Sequence, residues 1–241
     1  MLTLHGVNEL TRRGVGFVFN TPNRKSRPGY LKMGWSKVGH TSLWVAPRDL
    51  RALARVVRDR LGPNQVPGAP DDAGGRDARG ADVLDDPGFS RLIASMESSD
   101  HKYRTPQSVE YIRWRYELCP ACRYGFTASE NRKVFVIHRT RRRSGAREVA
   151  ISDLFFDRND AGVRDISGVL GQVLEASGAD YGVIATPTSA RSAAALALAG
   201  FIPAPRVGPI LTVRPMALST GMPDPLALRS WAPTIGDLEL F

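Results

Sequence analysis

Residues 15–47 read "VGFVFNTPNRKSRPGYLKMGWSKVGHTSLWVAP", a run that proline and glycine divide into separate elements. The aromatic and β-branched residues 17–19 predict a short buried strand that ends at Asn20. Pro28 suits the first turn of a helix and Gly34 its end, so "SRPGYLKMG" predicts one short helix. The run therefore predicts strand, helix and closing strand, in that order.

Two glycines stand just before this strand, in "TRRGVG", with the spacing of a phosphate-binding loop. Such a loop needs backbone N–H groups at the start of a helix, where the helix dipole favours an anion. Here a helical pattern over residues 5–13 comes before the glycines, and the strand comes after them. Because this order is the reverse of a phosphate loop, the sequence favours a plain connection from helix to strand.

A second stretch, residues 181–215, repeats the order of the first: "YGVIATPTSARSAAALALAGFIPAPRVGPILTVRP". Residues 15–47 are called the first block below, and residues 181–215 the second block. The matched pairs are Thr21-Pro22 with Thr186-Pro187, Gly34-Trp35 with Gly200-Phe201, and Val38-Gly39 with Val207-Gly208. Internal duplication explains this match more easily than chance.

Between the blocks, residues 63–88 are crowded with Pro, Gly and Asp and predict a flexible linker without regular structure. Residues downstream of the linker follow the order helix, hairpin, helix, strand, helix, strand, which predicts an α/β fold on a mixed sheet. The predicted division is 1–50 (C-terminal part of a first unit), 63–88 (linker), 89–216 (second domain) and 217–241 (C-terminal tail). The predicted core includes Val134, Val136, Val149, Ile151, Val183, Ile184, Leu211 and Val213.

Composition narrows the class of protein. The chain has 241 residues, of which 42% are apolar and 24% are charged, as in a globular protein with an ordinary core. No apolar run approaches the roughly 18 to 20 residues that span a bilayer, and no signal pattern opens the chain, so we expect a cytoplasmic location. Cys119 and Cys122 are too few for a disulfide framework and lack a second pair at zinc-ligand spacing, so no metal site is expected.

The net charge of +9 would suit a polyanionic partner. Its densest run, "HRTRRRSGAR" at residues 138–147, lies between two strand-like runs and predicts the solvated tip of a hairpin. No aromatic residue is interleaved with these arginines, as nucleic-acid recognition would favour. Nucleic-acid binding through the hairpin is therefore the weaker alternative.

Both blocks resemble the C-terminal half of the GNAT acetyltransferase fold, in which a helix ends in a Y-x-K-x-G-F element before a closing strand. "GYLKMGW" at residues 29–35 matches this element with Trp in the aromatic place. "WRY" at residues 114–116 and the tail "WAPTIGDLEL" resemble a subgroup with two GNAT-like halves. The resemblance implies a GNAT-like acyl-CoA N-acyltransferase fold, with one partial copy and one complete but degenerate copy.

The resemblance also implies a reaction, the acetyl-CoA-dependent acetylation of an amine on a small molecule or peptide. Tyr30 matches the tyrosine that protonates the departing thiolate, and a packing role for its ring is equally open. By the same resemblance, Asn20 and Asn23 would touch the pantetheine arm of acetyl-CoA. Asparagine is also an ordinary turn residue at such positions.

The family's pyrophosphate loop, (Q/R)-x-x-G-x-(G/A), is not reproduced. "TRRGVG" has Thr11 in the place of Gln or Arg and falls at the exit of the family's third helix, so the first unit looks N-terminally truncated. In the second unit, Arg158, Ala161 and Gly162 miss the glycine spacing, and Leu196 stands where Tyr30 stands in the first block. We therefore expect this chain alone to bind acetyl-CoA weakly or not at all. The alternative to an enzyme is a non-catalytic GNAT-like binding or structural module, with another chain covering the exposed edge of residues 1–48.

Overall fold

The structure is a computed structural model that describes residues 2–61, 80–96, 102–120 and 122–238. The strands within these residues are β1 (Phe17–Asn20), β2 (Ser36–His40), β3 (Leu43–Pro47), β4 (Gly125–Ala128), β5 (Val134–Arg143), β6 (Ala146–Phe156), β7 (Tyr181–Ala185), β8 (Ile202–Ala204) and β9 (Ile210–Pro215). The helices are α1 (Leu2–Arg12), α2 (Arg27–Lys32), α3 (Leu50–Leu61), α4 (Gly80–Leu84), α5 (Pro87–Ser95), α6 (Val109–Ile112), α7 (Val163–Ala176), α8 (Ala190–Leu198) and α9 (Ile235–Leu238). A π-helical turn, Arg113–Glu117, continues α6.

The strands form two sheets. One has six strands in the order β4-β5-β6-β7-β3-β8, and the other has three in the order β1-β9-β2. In the larger sheet β6 and β7 are parallel, whereas the other neighbours are antiparallel. The predicted mixed sheet and α/β class are thus confirmed.

The two blocks exchange their last strands. β3 of the first block lies between β7 and β8 of the second, with Val45 opposite Val183. In return, β9 of the second block lies between β1 and β2 of the first, with Phe19 opposite Val213. Each set of strands is therefore completed by residues from the other end of the chain.

The two blocks also end their helices in the same way. Gly34 and Gly200 follow α2 and α8 with φ angles of +83° and +85°, a left-handed conformation that glycine adopts without steric strain. The next residue in each block returns its N–H to the helix, from Trp35 to Tyr30 O at 3.2 Å and from Phe201 to Leu196 O at 2.9 Å. The predicted short helix and the predicted order α1, glycine turn, β1 are both confirmed.

The core lies on both faces of the larger sheet. α7 and α8 pack on one face, whereas α4, α5 and the π-helical turn pack on the other. α3 covers β3 and β7 through Ala52 and Val56. All eight residues predicted for the core are buried.

The linker prediction is only partly within the described residues, because residues 62–79 lie outside them. Residues 80–84 form helix α4, with Val83 and Leu84 buried, so regular structure begins inside the range predicted as linker. The basic run does form a hairpin, and its turn at Ser144 and Gly145 has positive φ angles. Within the described residues, no helix is long and apolar enough to cross a membrane.

Candidate active site

A cleft opens where β6 and β7 separate. The two strands pair in parallel only from Glu148 with Tyr181 to Ile151 with Ile184. Beyond this point β6 continues to Phe156, and its one partner among the described strands is β5. Residues 152–156 therefore have a strand on one side and a cavity of about 140 Å³ on the other.

A β-bulge in β6 determines which side chains face this cavity. Ile137 of β5 lies opposite Asp153, and His138 lies opposite Ile151, so Ser152 is the extra residue. A bulge of one residue reverses the alternation of the side chains that follow it. Asp153 is thereby directed to the sheet face that carries the π-helical turn.

Asp153 and Tyr116 form a buried hydrogen-bonded pair beside the cavity. The Tyr116 hydroxyl donates to Asp153 Oδ2, and each residue is only 3% exposed. Burial raises the pKa of Tyr116 far above its usual value, and the Asp153 carboxylate raises it further. Tyr116 therefore stays protonated over the whole working range of pH and remains a donor to Asp153.

The C-terminal segment closes the cavity on this side. The Arg115 guanidinium donates to Gly236 O at 3.1 Å and lies 5.3 Å from the centre of the Tyr116 ring. A Cβ atom at Gly236 would overlap Tyr116 Oη and would lie 2.8 Å from Asp153 Oδ2. Only glycine thus lets α9 approach the pair this closely.

Aromatic side chains fasten the same segment to the first block. The Trp231 ring packs against Phe17, Phe19 and Tyr103 with centroid distances of 5.1 to 5.4 Å. Backbone hydrogen bonds join Tyr103 N to Ser230 O and Ala232 N to Tyr103 O. These contacts position residues 232–237 and residues 104–107 as two walls of the cavity.

Gln107 is a polar residue in one of these walls. Its Oε1 atom is buried and has no hydrogen-bond partner among the described residues. A buried carbonyl oxygen without a partner is unfavourable, and a ligand N–H would relieve that penalty.

The loop before α7 is the place where the GNAT resemblance puts the pyrophosphate of coenzyme A. The N–H groups of Asn159 and Asp160 donate to Asp157 Oδ1 at 2.7 and 3.2 Å, and that of Ala161 donates to Asp157 O at 2.9 Å. The N–H of Gly162 donates to Asp165 Oδ2 at 2.8 Å. All four of these amides are thus held by the chain's own oxygens, so none of the four is available to a pyrophosphate without rearrangement of the loop.

The residues predicted from the sequence lie together in the first block, away from the cavity. The Tyr30 ring packs edge-on against Trp35, with 5.0 Å between centroids. Asn23 Oδ1 accepts hydrogen bonds from Lys25 N and Ser26 N, and Asn20 Oδ1 accepts one from Thr21 N. Both asparagines therefore act as turn residues in this structure, and their predicted cofactor role and that of Tyr30 stay predictions.

Sequence reasoning missed Asp153 and Gln107 and did not single out Tyr116 within "WRY". One signal was present for Asp153, because "VAISDLFF" places two polar residues in the middle of an apolar strand. Nothing in the sequence marks the cavity wall at Gln107. Within the described residues, no group of three or more His, Cys, Asp or Glu side chains is arranged to hold a metal ion.

Comparisons with known proteins identify the fold. No protein-family model matches the chain, and no curated protein matches it. A solved structure described as a GCN5-related N-acetyltransferase from Anabaena variabilis matches with a TM-score of 0.51 and 14% identity. The match covers 89% of this chain and 50% of that one, so this chain spans half the length of its structural neighbour. The two proteins share a fold.

Proposed function

From the fold shared with a GCN5-related N-acetyltransferase, we propose that the protein transfers an acyl group from a thioester to an amine in the cavity between β6 and β7. The separation of these strands beside the buried Asp153 is the observation that carries the proposal. Internal duplication of a GNAT-like unit is part of the proposal, and the exchanged strands with matching helix ends support it.

The open side of β6 suits an extended donor arm. Residues 154–156 pair with β5 on one side and line the cavity on the other, where an arm that carries amide groups could lie along the strand. An extended ligand that adds to a strand in this way gains main-chain hydrogen bonds. Gln107 Oε1 offers a further acceptor for an N–H of the donor or of the amine.

Asp153 is the proposed general base. It accepts a proton as the amine nitrogen bonds to the thioester carbonyl carbon, and the carbon–sulfur bond then breaks to release a thiolate, which is protonated from solvent. The Tyr116 hydroxyl acts as a positioning group, because it donates to Asp153 Oδ2 and thereby fixes the carboxylate beside the cavity that Asp153 lines. Burial of both residues limits access of water to the thioester.

Transfer assays with a panel of primary amines and two donors, acetyl-CoA and S-acetylpantetheine, test the proposal. Asp153→Asn should lower kcat by about a hundredfold or more, because general-base catalysis contributes about 10²- to 10⁴-fold. Tyr116→Phe should shift the pH profile of kcat while retaining more activity than Asp153→Asn. Full activity of Asp153→Asn, or no transfer to any amine, would refute the proposed reaction.

A second function has its own support. The N–H groups before α7 already donate to Asp157 and Asp165 and not to a cofactor. This favours a GNAT-like module that binds a ligand or a partner without catalysis. Such a module would show no thermal stabilisation by either thioester and no transfer. Nucleic-acid binding is the least supported function, because Arg141 of the basic hairpin is turned inward to the buried Glu148.

A further inference from the structure

We propose that the cavity recognises its donor by the acylated pantetheine arm alone, so that the nucleotide diphosphate of coenzyme A contributes little to binding. This inference rests on the proposed function and names the donor class for the same site. It follows from what surrounds the start of α7, which differs from an anion-binding helix terminus.

Hydrogen bonds within the chain already engage the amides before α7. An anion at a helix N-terminus is held by N–H groups that have no partner within the protein. At α7 the N–H groups of residues 159–162 already donate to Asp157 and Asp165. A diphosphate would have to displace two carboxylates to reach them.

The start of α7 already carries a negative charge. Asp165 lies in the first turn of α7, and its hydrogen bonds from Gly162 N–H and Asn131 lower its pKa, so it is ionised at neutral pH. An ionised carboxylate there already complements the positive end of the helix dipole. Residues 157–165 carry three carboxylates, of Asp157, Asp160 and Asp165, against two guanidinium groups, of Arg158 and Arg164, so the segment has no positive excess that would attract a second anion.

Arg191 of α8 contacts the loop before α7. Arg191 Nη1 donates to the backbone oxygens of Arg158 and Ala161, so this guanidinium braces the loop from within the protein. Lys133 Nζ lies 4.0 Å from Asp160 Oδ2. These two cations, Arg191 and Lys133, thus contact oxygens of the loop itself.

The cavity lining, in contrast, is suited to the pantetheine arm. The open side of β6 and the apolar side chains of Leu154, Ile184 and Leu196 line the same cavity. An arm of amides and methylenes is complementary to this combination of backbone and apolar contact.

Direct binding to the full chain tests the inference. Isothermal titration with acetyl-CoA and S-acetylpantetheine should give dissociation constants within about threefold of each other. Neither constant should change much between about 50 mM and about 500 mM NaCl, because no phosphate contact is present to be screened. The wild-type comparison decides the inference by itself.

Two variants separate hydrogen bonding from charge. Asp157→Ala combined with Asp165→Ala frees three amides and should tighten acetyl-CoA binding about tenfold or more, without changing the constant for S-acetylpantetheine. Asp160→Asn is the matched control, since it removes a charge but frees none of these amides, and it should change acetyl-CoA binding by less than about threefold.

Each outcome has a distinct meaning. If acetyl-CoA binds more than about threefold tighter than S-acetylpantetheine, the inference is overturned while the proposed function stands, and a salt dependence that Arg158→Ala abolishes would locate the phosphate contact. If neither thioester binds and none reacts, the proposed function itself fails and the inference fails with it.

Discussion

The two blocks have the same backbone plan and different surroundings. Each runs strand, helix, strand and exchanged strand, and each ends its helix at a left-handed glycine. Within the described residues, β1 of the first block pairs with β9 alone, whereas its counterpart β7 pairs with β3 and with the parallel strand β6. Among the strands that the structure describes, a cleft between diverging parallel strands therefore exists only at the second block.

The tyrosine of the GNAT motif, in contrast, is present only in the block that lacks this cleft. The first block keeps Tyr30, the residue that matches the GNAT tyrosine, and places it against Trp35. The second block has the buried Leu196 at the equivalent place, where it lines the cavity. A sequence motif and the cavity that would use it can therefore lie in different blocks, even when the two blocks have the same order of strands and helices.

Removing residues 1–48 should have the largest effect on the molecule. The shortened chain, residues 49–241, loses the buried Leu43 and Val45 of β3 and leaves β7 and β8 with open edges. We expect cooperative thermal unfolding to disappear, because the lost burial is comparable with the total stability of a domain, about 5–15 kcal/mol. Circular dichroism melts of the two chains measure this.

A peptide of residues 36–48 serves as the control for this deletion, since it should restore part of the melting transition when added in excess. An unchanged melting temperature for the shortened chain would show that the second block folds without the exchanged strand. The two blocks would then be independent units.

The next largest effect is expected at Glu148, which holds the parallel strand beside the second block. Its carboxylate accepts hydrogen bonds from Arg141 at 2.7 Å and from the Tyr181 hydroxyl at 2.6 Å. Burial raises the pKa of Glu148, but Arg141, Arg143 and Tyr181 outweigh burial and lower it to about 2. Glu148→Gln should lower the free energy of unfolding at pH 7 by about 3–5 kcal/mol, because it removes the buried negative charge that pairs with Arg141.

The sign of the pH dependence follows from the lowered pKa. The stabilisation is fully present above the unfolded value of about 4.3 and is lost as the pH falls towards 2. Urea unfolding at several pH values should therefore show the wild-type advantage over Glu148→Gln shrinking below about pH 4.3. Glu9→Gln, which removes an exposed pair with Arg12 and Arg13, is the control and should change stability by less than about 1 kcal/mol. If the difference in free energy of unfolding between wild type and Glu148→Gln stays constant with pH, Glu148 does not have the lowered pKa described above.

Gly236→Ala should have an intermediate effect, confined to the cavity side of the second block. The new methyl group would overlap Tyr116 Oη, so α9 must move away from Asp153. Overpacking of this kind lowers the free energy of unfolding by about 1–3 kcal/mol. Thermal melts and transfer assays should both report the change.

Gly168→Ala is the matched control for Gly236→Ala. Gly168 lies within α7, and a Cβ atom there meets nothing within 4 Å. The substitution should raise stability by about 0.5–1 kcal/mol, because alanine is the better helix former. Equal effects of the two substitutions would mean that α9 does not pack on the Tyr116–Asp153 pair as described.

Local sequence signals predicted much of the fold. Runs of β-branched residues such as Val134 and Val149 identified buried strands, and Gly34 and Gly200 identified the helix ends, because each signal depends on neighbours along the chain. The exchange of β3 and β9 could not be predicted in this way. Alternation at Val45 shows that one face of its strand is buried, but it does not specify that the partner is Val183.

The candidate site was less predictable than the fold, for a related reason. The side of the sheet that Asp153 faces depends on the bulge at Ser152, which is a property of the pairing between two strands. The engagement of the amides before α7 depends on how the loop folds back on Asp157 and Asp165. The sequence showed only that the glycine spacing of the family loop was missing there.

The smallest effect is expected for Tyr30→Phe, and it decides which block carries the chemistry. Tyr30 packs on Trp35 in the first block, whereas the proposed site lies at the second, so removal of its hydroxyl should change kcat by less than about twofold. Leu196→Met changes the equivalent position of the second block, which lines the cavity, and keeps nearly the same volume. It should alter KM for the thioester several-fold at unchanged kcat, because it alters contacts with the bound arm and not the reacting atoms. If Tyr30→Phe instead lowers kcat by a power of ten or more while Leu196→Met has no effect, the tyrosine acts as the acid that the GNAT resemblance implies. The active site would then belong to the first block.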